Sequence, residues 1–146
     1  MICPHCGEFT ENLLWRAVRR YRDNLHAVNI MNIDGIIEIG ENFVLLYEEK
    51  HSSIHRMKTF QAISLKKLGD LLGIPVIVAF HDDFEDSVTV YQLPQGRLPP
   101  TSTLSFENRT PTFSGGVSEF GSWLYQNYIS HAPLTRPLRR SISWWR

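Results

Sequence analysis

The sequence predicts an α/β domain with a central mixed sheet flanked by helices, and three observations carry that reading. Apolar residues recur at helical spacing over 8–23 and again over 57–72. Stretches rich in β-branched and aromatic residues fill 26–39 and 43–51 between them. PVIVAF, residues 75–80, is wholly apolar between Pro75 and His81, as a strand buried on both faces must be. At 146 residues the chain suits one compact domain with room for a proper core. That domain is expected over 1–130, with its core at about 8–93, and a basic tail over 131–146.

Taken in order, Thr10 can cap the first helix, whose apolar stripe is Leu13, Leu14, Ala17, Val18 and Tyr21. The stretch 26–39 then runs into Gly40-Glu41-Asn42, read as a three-residue turn, and 43–51 returns as the second arm of a hairpin. Over 57–72, Phe60, Ile63, Leu65, Leu68, Leu71 and Leu72 fit a helix that Gly73 ends. Residues 87–93 form a further strand, hairpinned to 75–80. Pro94, Pro99, Pro100, Pro111, Gly115 and Gly116 make 94–116 read as a long surface loop. Phe120, Trp123, Leu124 and Tyr128 mark a closing helix over 117–129.

Composition narrows the class. Apolar content of 42% and charged content of 21% are those of an ordinary globular protein. No apolar run is long enough to cross a bilayer and no signal-peptide pattern opens the chain, so the expected location is cytoplasmic, with no membrane partner. Two cysteines argue against a secreted disulfide framework.

Formal net charge is zero, but its distribution is uneven. Asp34, Glu38, Glu41, Glu48 and Glu49 are opposed between 34 and 50 by Lys50 alone. Arg16, Arg19, Arg20 and Arg22 precede that stretch, and Arg56, Lys58, Lys66 and Lys67 follow it. An acidic patch flanked by bases is what a metal site acting on a polyanion needs; scattered surface charge is the alternative.

The segment FVLLYEEK, 43–50, runs a buried strand directly into Glu48, Glu49 and Lys50. Charges at such a strand end must be satisfied where they lie. If 40–42 form a three-residue loop, Ile39 pairs with Phe43, Ile37 with Leu45, Ile36 with Leu46, and Asp34 falls opposite Glu48. Opposed side chains have Cβ atoms about 4.5–5.5 Å apart, so the two carboxylates could clasp one cation. Lys50 projects from the same face as Glu48. A hard divalent ion such as Mg2+ or Mn2+ would relieve the repulsion between the acids. A surface Glu/Lys cluster at a fraying strand end is the other reading.

With Ile33-Asp34 on one strand, Glu48-Glu49-Lys50 ending the next and Gln61 on the helix after it, the chain resembles the PD-(D/E)xK nuclease superfamily. The order of a helix, a strand hairpin bearing the acidic motif, a helix and another strand is similar to that family's restriction-endonuclease-like core. The resemblance implies a Mg2+- or Mn2+-dependent endonuclease that hydrolyses DNA phosphodiester bonds. It implies Asp34 and Glu48 as metal ligands, the Glu49 main-chain carbonyl as a further ligand, Lys50 as the catalytic lysine and Gln61 as the helical glutamine found in several branches. Glu8 or Glu11 would match the first-helix glutamate of some branches. Ile33 stands where the motif has proline. A catalytically inactive relative, binding nucleic acid or protein, is the alternative.

Arg16, Arg20, Lys58, Arg139 and Arg140 are the candidate nucleic-acid contacts, and Trp144-Trp145 suit base stacking or docking on protein. A duplex substrate suggests a homodimer. Cys3 and Cys6 have the spacing of half a zinc knuckle, to be completed by His26, His51, His55, His81 or His131 or shared with a second chain; otherwise they are reduced thiols. His81-Asp82-Asp83 with Glu85-Asp86 reads either as a source of second-metal ligands or as a solvated acidic loop. His51 and His55 flank the acidic motif and either contact phosphate or are satisfied surface groups. Ser52 and Ser53 have no triad partners, and Asn108-Arg109-Thr110 is a glycosylation sequon in form only.

Overall fold

The structure is a computed structural model that describes residues 33–94 and 96–131. The helix expected at 8–23, residues 26–32 of the first strand stretch and the tail from 132 lie outside the described residues. So do Cys3, Cys6, Glu11, Arg16, Arg20, Arg139 and Arg140.

Two antiparallel arms come first, β1 (Gly35–Ile39) and β2 (Asn42–His51). A short β3 (Arg56–Lys58) leads into α1 (Thr59–Leu72), which crosses to β4 (Val76–Asp82). β4 returns through a tight turn as β5 (Ser87–Gln92). Then come β6 (Thr103–Ser105), β7 (Phe113–Gly116) and α2 (Val117–Leu124), which widens into a π-helical turn over Tyr125–Ile129. Five strands form one mixed sheet in the order β1-β2-β4-β5-β7, with β2 and β4 parallel and the other pairs antiparallel. β3 and β6 pair as a separate ribbon. The architecture is therefore α/β with a mixed five-stranded sheet and two helices among the described residues.

Each face of the sheet has its own cover. Leu45, Ile77, Ala79, Val88 and Val90 are buried beneath Phe113, Phe120, Trp123, Leu124 and Tyr128 on the α2 side. On the α1 side Phe80, Tyr91 and Phe106 form an aromatic group with centroids 5.0–5.9 Å apart. β4 sits in the middle with Val76, Ile77, Val78, Ala79 and Phe80 all buried, as its unbroken apolar run required.

Several boundaries differ from expectation, each for a physical reason. The helix expected from residue 57 starts at Thr59, because 56–58 pair with 103–105. α1 buries Thr59, Ala62, Leu65 and Gly69 while Phe60, Ile63, Leu71 and Leu72 are exposed. Gly69 lets the helix approach β4 closely: an added Cβ would lie 2.5 Å from Val76 Cγ2. Gly73 ends the helix in the left-handed conformation, with the Ile74 N–H donating to the Gly69 carbonyl at 3.0 Å. The loop expected over 94–116 contains β6 and β7. β7, Phe-Ser-Gly-Gly, has little strand propensity of its own and owes its conformation to pairing with β5. α-Helical geometry ends at Leu124, where the expectation was 129; the Ser130 N–H then donates to the Tyr125 carbonyl at 2.8 Å, five residues back.

No helix among the described residues is long and apolar enough to cross a membrane.

Candidate active site

The β1–β2 hairpin reaches the expected pairing by an unexpected route. Its turn has two residues, Gly40 and Glu41, both with positive φ, so Ile39 pairs with Asn42 and Glu38 with Phe43. Continued regularly, that register would set Asp34 opposite Tyr47. A bulge intervenes: Val44 is the extra residue, and beyond it Ile37 pairs with Leu45, Ile36 with Leu46 and Gly35 with Tyr47. Asp34, one residue further, is thereby in register with Glu48. The three-residue loop is corrected, while the apolar pairs that it was invoked to explain are the ones observed.

Alternation along β2 sends Glu48 and Lys50 to the α1 face and Tyr47, Glu49 and His51 to the α2 face. On the α1 face Glu48 is 2% exposed. Its Oε1 accepts hydrogen bonds from Lys50 Nζ at 2.7 Å and from Gln61 Nε2, and Lys50 Nζ also donates to Gln61 Oε1 at 3.0 Å. Gln61 reaches the strand from the first turn of α1, where its neighbours Thr59 and Ala62 are buried. The other oxygen, Glu48 Oε2, is buried and has no hydrogen-bond partner among the described residues. Burial, chiefly, pushes the Glu48 carboxyl above its ordinary range, and the Asp34 charge adds to this. The hydrogen bond and charge of Lys50, and the bond from Gln61, act the other way without cancelling it.

Asp34 is exposed, and its Oδ2 accepts the Glu49 N–H at 2.7 Å. In a strand, the N–H and C=O of one residue point to the same side, so the Glu49 carbonyl also faces the Asp34 side. Asp34, Glu48, the Glu49 main chain, Lys50 and Gln61 thus converge at one end of the sheet. This set fits a hard divalent cation: one orphaned buried carboxylate oxygen, a second carboxylate in register with it, and a carbonyl on the same side.

The remaining candidates fall elsewhere. Lys58 is exposed at the start of α1, its ammonium 5.8 Å from the Phe60 ring centroid. It flanks an open groove that Phe60, Ile63, Lys67, Arg97 and Pro99 help to line. His55 is a packing residue: its ring lies 4.8 Å from that of Phe80, and its Nδ1 is 2.7 Å from the Tyr91 hydroxyl. His51 turns away from Glu48, to Glu49 at 3.0 Å and Asp83 at 3.2 Å. Asp83 also meets His81 at 3.0 Å. Sequence reasoning offered His51 and His81 together only as partners for Cys3 and Cys6 and missed their union with Glu49 and Asp83. Only the parallel register of β2 with β4, which pairs His51 with His81 across a crossover, brings them together.

No protein-family model matches the chain, and neither a curated protein nor a solved structure matches it.

Proposed function

We propose that the protein is a metal-dependent endonuclease of the PD-(D/E)xK class that hydrolyses DNA phosphodiester bonds with Asp34, Glu48, Lys50 and Gln61. The observation that carries this reading is Glu48. A carboxylate so buried, with one oxygen bonded by Lys50 and Gln61 and the other without a partner among the described residues, is costly unless a further cation completes it. The β1–β2 hairpin, the α1 crossover and the parallel β4 are in keeping with a restriction-endonuclease-like core.

Asp34, Glu48 Oε2 and the Glu49 carbonyl would hold the Mg2+ or Mn2+. Such an ion supplies a water of lowered pKa and offsets charge on the phosphate. The chain's own part is positional. Gln61 and Glu48 fix the Lys50 ammonium beside the bare oxygen, where it can hold a water or stabilise charge developing on the attacked phosphate. The Glu49 N–H holds Asp34 at the end of the hairpin, beyond the last β1–β2 pair.

Cleavage of supercoiled, linear and branched DNA with Mg2+, Mn2+ or EDTA, comparing wild type with Lys50→Ala, tests the reading. Cutting should need a divalent ion and fall by about 10²-fold or more in Lys50→Ala. Absence of cutting on every substrate, with no thermal shift from Mn2+, would leave a nucleic-acid- or protein-binding module.

A further inference from the structure

We propose that Glu49, His51 and His81 form a second metal site, for a borderline divalent ion of the Zn2+ class, on the face of the sheet opposite Glu48 and Lys50. One ligand atom from each of the three residues lies within 4.8 Å of the others. An ion bonded at about 2.0–2.2 Å to each would need only a small closure of these side chains. The donors are brought together by backbone geometry. Glu49 and His51 are alternate residues of β2, and His81 is the register partner of His51 on β4.

The contacts of the two imidazoles point to a cation. His51 Nε2 lies 3.0 Å from Glu49 Oε1, and its Nδ1 lies 3.2 Å from Asp83 Oδ2. His81 Nδ1 lies 3.0 Å from Asp83 Oδ1, and its Nε2 lies 3.3 Å from Asp86 Oδ1. A neutral imidazole carries one N–H, so a neutral ring aims one lone pair at a carboxylate oxygen, a repulsion that a second ring proton or a metal ion at that nitrogen relieves. A cation between nitrogen and oxygen turns that repulsion into ligation. Among the described residues, no lysine or arginine forms an ion pair with Glu49, Asp83 or Asp86.

The donor set also selects the ion. Two imidazoles with a carboxylate suit Zn2+ and its neighbours, whereas Mg2+ prefers oxygens alone. Asp83 and Asp86 hold ring nitrogens from outside, as carboxylates commonly do around metal-bound histidines. The rings sit 5.5 Å apart beside a cleft of about 370 Å³, which leaves solvent access for a fourth ligand. Glu49 belongs to both faces: its N–H anchors Asp34, and its carboxylate faces His51.

The test is calorimetric titration of Zn2+ alone into metal-free full chain, in a Cys3→Ser/Cys6→Ser background so that those thiols cannot take the ion. The expected result is about one Zn2+ per chain, bound at least about tenfold more weakly in His51→Ala and in His81→Ala. Glu48→Gln should leave that affinity unchanged, which separates this site from the one proposed for Mg2+ or Mn2+. His51→Gln, an exposed change, provides a variant whose fold is checked by circular dichroism if His81→Ala does not fold. Unaltered Zn2+ affinity in the folded histidine variants, or loss of binding in Glu48→Gln alone, would overturn the proposal. The readout is binding, so it stands or falls independently of DNA cleavage.

Discussion

Glu48 concentrates the energetics of the site. Leaving a buried acceptor without a partner costs about 1–3 kcal/mol, and among the described residues Glu48 Oε2 is such an acceptor. Glu48→Gln still leaves an unpartnered group there, but it removes the buried charge that desolvation and Asp34 disfavour, and so should raise the metal-free melting temperature by a few degrees at neutral pH while abolishing cleavage. Mn2+ should stabilise wild type and not this variant, since mass action favours only a fold that binds the ion. The sign of the pH dependence follows from the raised carboxyl. The folded state holds the Glu48 proton more tightly than the unfolded chain does, so the contribution favours folding below the ordinary carboxylate range. That contribution is lost as pH rises through this range to the shifted value. In metal-free melts the advantage of Glu48→Gln over wild type should accordingly be small in acid and widen toward neutral pH. A gap that stays constant over the series would show that Glu48 is not held above its ordinary range. Tyr47 is pushed upward too, first by burial and then by the Glu49 charge, and so stays protonated across this window.

Elements decide whether those residues meet, and here the sequence was legible in uneven measure. The apolar run at 75–80 could be read because its burial dictates it, and the pairs Ile36–Leu46 and Ile37–Leu45 because each sets an apolar residue against buried Leu46 or Leu45, although Ile36 itself is exposed. The bulge at Val44 could not, since nothing in Asn-Phe-Val-Leu-Leu distinguishes an extra residue from a paired one. β7 was hidden because Gly115 and Gly116 signal a loop, and only β5 makes them a strand. The His51–His81 pairing depends on a register across the α1 crossover, which no local pattern encodes. α1 shows tertiary packing overriding periodicity: Phe60, Ile63, Leu71 and Leu72 are exposed, while Gly69 is buried beside Leu65 and faces Val76 of β4. Two glycines should therefore respond in opposite ways. Gly69→Ala gains about 1 kcal/mol of helix propensity but drives a Cβ to 2.5 Å from Val76 Cγ2 and 3.0 Å from the Ile74 carbonyl oxygen. Overpacking of this kind costs about 1–3 kcal/mol, so the variant should melt lower. Gly121→Ala, on α2, meets nothing within 4 Å and should melt higher. Paired thermal melts decide it, and a rise for Gly69→Ala would contradict the close approach of α1 to β4.

At the scale of the whole molecule, zero net charge leaves no global field to draw a polyanion in, so any DNA affinity must come from local arrays. The acidic site end of the sheet carries Asp34, Glu48, Glu49, Asp83 and Asp86, which repel phosphate until cations occupy them. The candidate bases are Arg16 and Arg20 ahead of the acidic stretch, Lys58 by the α1 groove, and Arg139 and Arg140, which the sequence places in the acid-free stretch after Glu119. Different side chains carry the two tasks, so binding and metal capture should be dissociable. Arg139→Ala/Arg140→Ala should weaken DNA binding most at low salt. The slope of log affinity against log salt should fall by about 0.9 for each phosphate that is no longer neutralised. The thermal shift from Mn2+ should be unchanged, because those arginines contribute no oxygen ligand. Glu48→Gln should do the reverse, removing the Mn2+ shift while keeping the salt slope. Fluorescence anisotropy over a salt series, run beside melts with and without Mn2+, reads both quantities on the same proteins. An unaltered slope in the arginine variant would take the tail out of DNA binding and leave the α1 groove as the surface to test next.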